Sequence, residues 1–367
     1  MKHLILLGAG HAHVHVLSTL AAHPLPGVQV TLVTPYPRQL HAGMLAGFIA
    51  GHHALADCAT PLAPLLEHTG LRWLTRSASA LDAATRTLTL DDGSRLSYDW
   101  LSVNTGSVHD RQHMEALLPG SRENALFLRP LESFAALWPR VLEQAQGRAL
   151  RVAVIGAGSA STELVMAMVQ RLPGSSLTLV CGDGPLADQA CPALQQRVLK
   201  ALKQRRITVL AEQAVGLQAG EVLLANGARL VCDVPVIALS GQAPPWLADS
   251  GLALDAQGFI AVDACQRATG HPEVFAVGGV SRRADQPRPR SGMHAVCAGP
   301  ALRKNLSAVV AGAEPLPHQP PQETLHLLSC GPHEAIASWG PYSAQGRWVG
   351  WLKHWMDRRF MARYRKA

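Results

Sequence analysis

Two short glycine turns carry the first chemical signal in the chain. Leu7-Gly8-Ala9-Gly10 recurs 148 residues later as Ile155-Gly156-Ala157-Gly158. Each closes an apolar run and opens a stretch with helical character, so each would aim the N–H groups of a helix start at an anion, above all a pyrophosphate. The likeness continues downstream, where Leu25-Pro26-Gly27 answers Leu172-Pro173-Gly174 and Thr31-Leu32-Val33 answers Thr178-Leu179-Val180, now at an offset of 147. A single Gly-x-Gly is weak, but duplication with matching strands predicts two βαβ units and therefore two dinucleotide sites.

Both copies depart from the full fingerprint. The third glycine, which lets the helix pack on the strand, is His13 in the first and Ser161 in the second. Serine is a small concession, whereas a histidine ring must turn away from the strand or push the helix outward. The acidic residue that would bond a ribose hydroxyl is Thr34 in the first copy and Cys181 in the second, which leaves Thr34 as a weaker partner and Asp183 as a candidate.

The elements that must position these turns need a substantial core, and 367 residues with 48% apolar and 16% charged side chains supply two or three domains. Ahead of Gly8 there is only a four-residue apolar run, too short for a signal-peptide core or a bilayer span, so the cytoplasm is expected. Seven scattered cysteines with no C-x-x-C argue against a disulfide framework, a zinc site or a redox dithiol. Of the net charge of +7, residues 347–367 hold +6, leaving +1 for the rest, so nucleic acid is not an expected partner.

His11, His13 and His15 form H-x-H-x-H, and His11 and His15 share the i, i+4 spacing of metal sites, yet no Asp, Glu or Cys stands nearby. No metal is therefore expected, and His11 is read beside phosphate or as simple packing. In the tail, Trp348, Trp351, Leu352, Trp355, Met356 and Phe360 fall on one helical stripe, with Lys353, His354 and Arg358 off it. A basic helix with such tryptophans fits a membrane surface, or else a packed stripe against the protein or a second subunit in a homodimer.

Gly8-Ala-Gly-His-Ala-His-Val14, His41-Ala-Gly-Met-Leu-Ala-Gly47 and Asn104-Thr-Gly106 together resemble the pyridine nucleotide-disulfide oxidoreductase superfamily. The similarity is to the branch of type II NADH dehydrogenases, sulfide:quinone oxidoreductases and the flavoprotein modules fused to selenophosphate synthetase. It runs nearly end to end, through Val274-Phe-Ala-Val-Gly-Gly-Val280 to the Trp-rich tail. The resemblance implies an α/β fold of two Rossmann-like domains with a short C-terminal helical appendage. FAD would occupy residues 1–110 and 266–325, NAD(H) or NADP(H) the inserted residues 111–265, and the appendage would be 326–367. With no arginine beside Cys181-Gly182-Asp183 to meet a 2′-phosphate, NAD is preferred.

By the same resemblance, Gly8, Gly10, His11, Ala12, Thr34, Thr105 and Gly106 would hold FAD. Gly43 and Met44 would approach its ring, Arg129 would lie near the flavin at the domain crossover, and His294 and Ala295, after Arg290-Ser291-Gly292, would face the pyrimidine edge. Gly156, Gly158, Ser161, Asp183, Ser240 and Gly241 would hold the nicotinamide dinucleotide. The family's Gly-Asp pair reads Gly278-Gly279 here, so the carboxylate that holds the ribityl chain is missing and FAD binding would weaken about ten- to a hundredfold. Glu163 would lie near nicotinamide or flavin, or else cap its helix; Cys297 would be a thiolate near the flavin, or else an inert thiol.

The expected activity is hydride transfer from NADH to flavin and on to an acceptor such as a quinone, by a protein peripheral to the inner face of a membrane. Two alternatives stay open: a sulfide:quinone-type enzyme, and a degenerate nucleotide-binding protein without catalysis.

Overall fold

The computed structural model describes every residue except 68, 188–190, 284, 287–291 and 366–367, and the side chains of all of these but 292 and 365. Both glycine turns sit where a strand feeds a helix. Lys2–Leu7, His11–Leu20 and Val28–Val33 make the first unit; Arg151–Ile155, Ser159–Arg171 and Ser176–Val180 make the second. The central strands are fully buried beyond their first residues, as parallel strands covered on both faces must be.

The repeat extends further in space than in sequence. Leu7 pairs with Val33 and Val103, and Val33 pairs with Leu74. In the second unit Ile155 pairs with Val180 and Ile237, and Val180 pairs with Leu210. Each half also carries a three-stranded antiparallel sheet, Ala78–Asp82/Thr87–Leu90/Arg95–Ser97 and Ala214–Gln218/Glu221–Leu224/Arg229–Val231. The fold is thus α/β with two Rossmann-like sheets, of eight and five strands.

The larger sheet is discontinuous. It takes His271–Ala276 beside Trp100–Val103, and it also takes Ile260–Val262, ahead of the boundary expected at 266. Ile260 and Val262 are drawn there by burial against Ile5, Leu101 and Leu247. Two chain crossings join the sheets, and they pair with each other, Val108 and Gln242 exchanging backbone hydrogen bonds of 2.9 and 2.8 Å.

The C-terminal region is not purely helical. Three antiparallel strands, His326–Gly331, Glu334–Trp339 and Tyr342–Gly346, precede the helix Arg347–Arg365. The helix buries Val349, Lys353, Met361 and Tyr364 and leaves Trp348, Trp351 and Trp355 at 61, 68 and 46% exposure. The tryptophans of the stripe read from hydrophobic spacing therefore lie off the packed face, while its Phe360 lies on it. A lysine expected in solvent lies inward because acidic partners await it there, while the tryptophans face out.

Candidate functional site

The first glycine turn is built around Asn104, at the end of the strand Trp100–Val103. Its Oδ1 accepts from the N–H groups of Ala12 and His13, both at 3.1 Å, and its Nδ2 donates to the Val277 carbonyl at 2.8 Å. One side chain thus caps the phosphate-type helix and ties it to the returning segment of the sheet. At Gly8, with φ +85°, a Cβ would stand 2.7 Å from the Asn104 carbonyl, so strand approach alone demands glycine. Sequence reading assigned Asn104 only to a motif; its capping role had no local signal, because its partners are about ninety residues away.

His13 neither turns outward nor displaces the helix. It is fully buried between helix and sheet, Nδ1 2.6 Å from the Gly8 carbonyl and Nε2 2.8 Å from the Ser102 hydroxyl. A carbonyl only accepts, so Nδ1 carries the hydrogen and Nε2 accepts from Ser102. Burial pushes the ring down to about 4 against the opposing pull of the Gly8 bond, keeping it neutral. In the second unit the buried Ser161 hydroxyl donates to the Gly158 carbonyl at 2.7 Å, so the smaller replacement is also absorbed.

Around the first turn, Thr34 is buried and its N–H bonds the Leu74 carbonyl. Thr105 and Gly106 are half-buried, and beside Gly106 there is open space. Gly278 faces Asn104 and Ala295, and a Cβ at Gly279 would stand 3.2 Å from the Ser107 N–H, so an aspartate there would crowd the chain. The helix carrying His294, Ala295 and Cys297 runs from Gly292 to Val310; Arg290 and Ser291 lie outside the described residues. His294 and Gly278 line one small cleft with Gln266, Arg283 and His318. Burial pushes the Cys297 thiol up, away from a thiolate.

At the crossover, a Cβ on Gly241 would stand 3.2 Å from Arg129 Cδ and would also run into the Ser107 side chain, which brings Gly241 and Arg129 to the end of the FAD-type motif. Ser240 precedes this contact. In the second unit Gly156 takes φ +145° against the Ala238 carbonyl, and Gly158 caps the helix. Ala238, standing where the first unit has Asn104, cannot cap. The Cys181 thiol turns to the Leu210 carbonyl at 3.2 Å, leaving the exposed Asp183 as the acidic group at that strand end.

Glu163 is bound to the C-terminal sheet. Its Oε1 accepts from Ser329 N–H of the C-terminal sheet at 2.7 Å; burial pushes its pKa up, while Lys353 draws it partly back. The turn bearing Gly43 and the buried Met44 meets the C-terminal helix, where the Lys353 ammonium donates to the Gly43 carbonyl. His11, on the first turn of its helix, packs against His41 and Phe360, and His15 meets Tyr364. Among the described residues no three His, Cys, Asp or Glu side chains group as metal ligands would.

This geometry, two glycine turns on two sheets with paired crossings, has a counterpart among known proteins: the pyridine nucleotide-disulphide oxidoreductase profile matches residues 2–299. The chain belongs to that family. The probable ferredoxin reductase CtmF of Castellaniella defragrans is 29% identical over 299 residues, covering 77% of this chain and 68% of that protein. The alternative NAD(P)H-ubiquinone oxidoreductase C1 of Arabidopsis thaliana is 24% identical over 322 residues, covering 76% of this chain and 61% of the relative. The chain thus spans between 61% and 68% of these two relatives' lengths. Among solved structures, NDH2 of Plasmodium falciparum superposes with a TM-score of 0.82 at 13% identity, over 100% of this chain and 97% of that one. The sulfide:quinone oxidoreductase of Aquifex aeolicus gives 0.81 at 18% identity, over 100% and 92%. At these identities the structural matches speak for the fold of this family member.

Proposed function

We propose that the protein is an FAD-dependent NADH oxidoreductase whose acceptor is a quinone taken from a membrane surface. FAD, when bound, supplies the redox chemistry, receiving a hydride from the nicotinamide and returning two electrons to the acceptor. The residues hold and orient. Gly8, Gly10, His11 and Ala12 would take the pyrophosphate, Thr34 a ribose, and Thr105 and Gly106 the returning chain. Among the described residues, buried Gln39 Oε1, Thr60 Oγ1 and Gln266 Oε1 find no hydrogen-bond partner, which fits a polar ligand in this half of the molecule. The accommodation of His13 and Ser161 removes two of the three departures that favoured a degenerate reading.

Gly156, Gly158 and Ser161 would admit the pyrophosphate of NADH, with Asp183 bonding the adenosine ribose; a carboxylate there disfavours a 2′-phosphate and supports NAD over NADP. The observation that carries the quinone reading is the C-terminal helix. It exposes Trp348, Trp351 and Trp355 while anchoring Lys353 on the Gly43 turn, so a face whose chemistry suits a membrane surface belongs to the same helix that holds the segment expected at the flavin ring. Among the described residues no helix is long and apolar enough to cross a membrane, so the contact would be interfacial.

The visible spectrum tests the core of this reading. Bands near roughly 375 and 450 nm that bleach on anaerobic NADH addition are expected; a protein that stays colourless after FAD reconstitution would sink it. For the membrane arm, replacing Trp348, Trp351 and Trp355 together by alanine should weaken co-sedimentation with phosphatidylcholine/phosphatidylglycerol vesicles by at least about tenfold. If vesicle binding is unchanged but the sedimentation coefficient falls, those tryptophans join two copies of the chain instead.

A further inference from the structure

The short antiparallel ribbon Arg38–Leu40/Ala59–Pro61 has two chemically distinct faces. Leu40 and Ala59 stand opposite each other and pack with Ala135 in a small apolar cluster. One residue along each strand, alternation turns Gln39 and Thr60 to the other face, where they too stand opposite each other. Both are buried, at 6 and 0% exposure. Yet among the described residues Gln39 Oε1 and Thr60 Oγ1 find no hydrogen-bond partner, and they do not bond each other. Burial of one polar atom without a partner is unfavourable, so two of them side by side point to a ligand that answers both.

Their surroundings say which chemistry that ligand carries. Gln39 Nε2 donates to the Leu40 carbonyl and lies 3.2 Å from His11 Nε2. A carbonyl only accepts, so the amide orientation is fixed and Oε1 is the atom left over. His11 opens the helix that follows the first glycine turn, where the proposed reading puts the FAD pyrophosphate. The pyrophosphate has acceptors alone and cannot satisfy Oε1, which also only accepts. Thr60 can donate or accept, so the missing partner is a group with hydroxyls of its own.

FAD carries hydroxyls on either side of its pyrophosphate, on the adenosine ribose and on the ribityl chain. The ribose is already allotted to Thr34, at the end of the strand Val28–Val33. We propose that Gln39 Oε1 and Thr60 Oγ1 bind the ribityl hydroxyls of FAD. Side chains directly opposite on a ribbon have Cβ atoms about 4.5–5.5 Å apart, a spacing that two hydroxyls of one polyol chain can meet together. The inference rests on the FAD reading and offsets part of the loss expected at Gly279, which offers no side chain.

The experiment uses the full chain freed of cofactor, with FAD binding read from flavin fluorescence and ADP as competitor. Thr60→Val deletes the hydroxyl at nearly constant shape. Its cofactor-free Tm should equal or exceed that of wild type, because the lost hydroxyl had no partner, while its Kd for FAD should rise about fivefold. Gln39→Met should raise that Kd by a similar factor, and the two together by about twenty-fivefold. ADP keeps the adenine, ribose and pyrophosphate but has no ribityl chain, so its inhibition constant against FAD should not change. A merely structural pair would lower Tm instead, and that result overturns the assignment. Unchanged FAD affinity in both variants would mean that buried water serves the pair, and equal losses of FAD and ADP would move the contact to another part of the cofactor; either overturns it. A wild type that binds no FAD defeats the FAD reading itself, and the assignment with it.

Discussion

Replacing Asn104 by alanine is expected to cost the protein roughly 3–5 kcal/mol and to weaken FAD binding by more than about tenfold. Three hydrogen bonds disappear, two donated by the Ala12 and His13 amides to the side chain and one donated by it to the Val277 carbonyl, at about 1 kcal/mol each. The groups left behind are buried, so their desolvation adds to the loss. The consequence for binding is geometric: the helix start would no longer be pinned to the Val277–Gly278 segment, and the two walls of the FAD site would move independently. Denaturant unfolding of the cofactor-free protein, followed by FAD titration, reads both effects. A stability loss under about 1 kcal/mol would mean that the cap is incidental to the turn.

Acidification should be as damaging as that substitution. His13 and His109 are held down to about 4 and His11 to about 3, in each case chiefly by burial. In the unfolded chain these rings titrate near 6.5, so between pH 6.5 and 4 the unfolded state binds more protons than the folded one. Stability from these rings is therefore complete above pH 6.5 and is lost as pH falls toward 4. At pH 5 each ring has cost roughly 2 kcal/mol relative to neutral pH. Unfolding free energies at pH 7 and pH 5 should differ by several kcal/mol, and His13→Gln, which keeps polar contacts but does not titrate, should remove about a third of the slope. A flat profile in wild type would show that these rings accept protons without unfolding.

The consequences of protonation are local as well as global. His13 bonds the Gly8 carbonyl and His109 bonds the Leu239 carbonyl beside the crossover, so the first positions to fail on acidification are the glycine turn and the hinge between sheets. Loss of FAD ahead of global unfolding is the corresponding expectation.

What the amino-acid sequence by itself determined was the pair of dinucleotide units. Gly8-Ala-Gly10 and Gly156-Ala-Gly158 between apolar strands and helices are short-range signals, because the turn, the helix start and the following strand are consecutive in the chain. NAD over NADP is likewise an expectation from neighbouring residue types, whereas the approach of the Gly43 turn to the flavin is one that only the family resemblance implies.

The tertiary structure decided everything that depends on partners distant in sequence. His13 looked like an obstacle until Ser102, eighty-nine residues on, supplied its second hydrogen bond. Lys353 read as a solvent residue because periodicity counts apolar side chains and is blind to a buried ion pair. Asp357 meets His41 across 316 residues, a contact no local pattern encodes. The three strands ahead of the C-terminal helix went unread because short strands gain their stability from cross-strand and helix packing rather than from their own composition. Local backbone physics writes the motifs, and burial of polar groups, which must each find a partner somewhere in the fold, arranges them into a site.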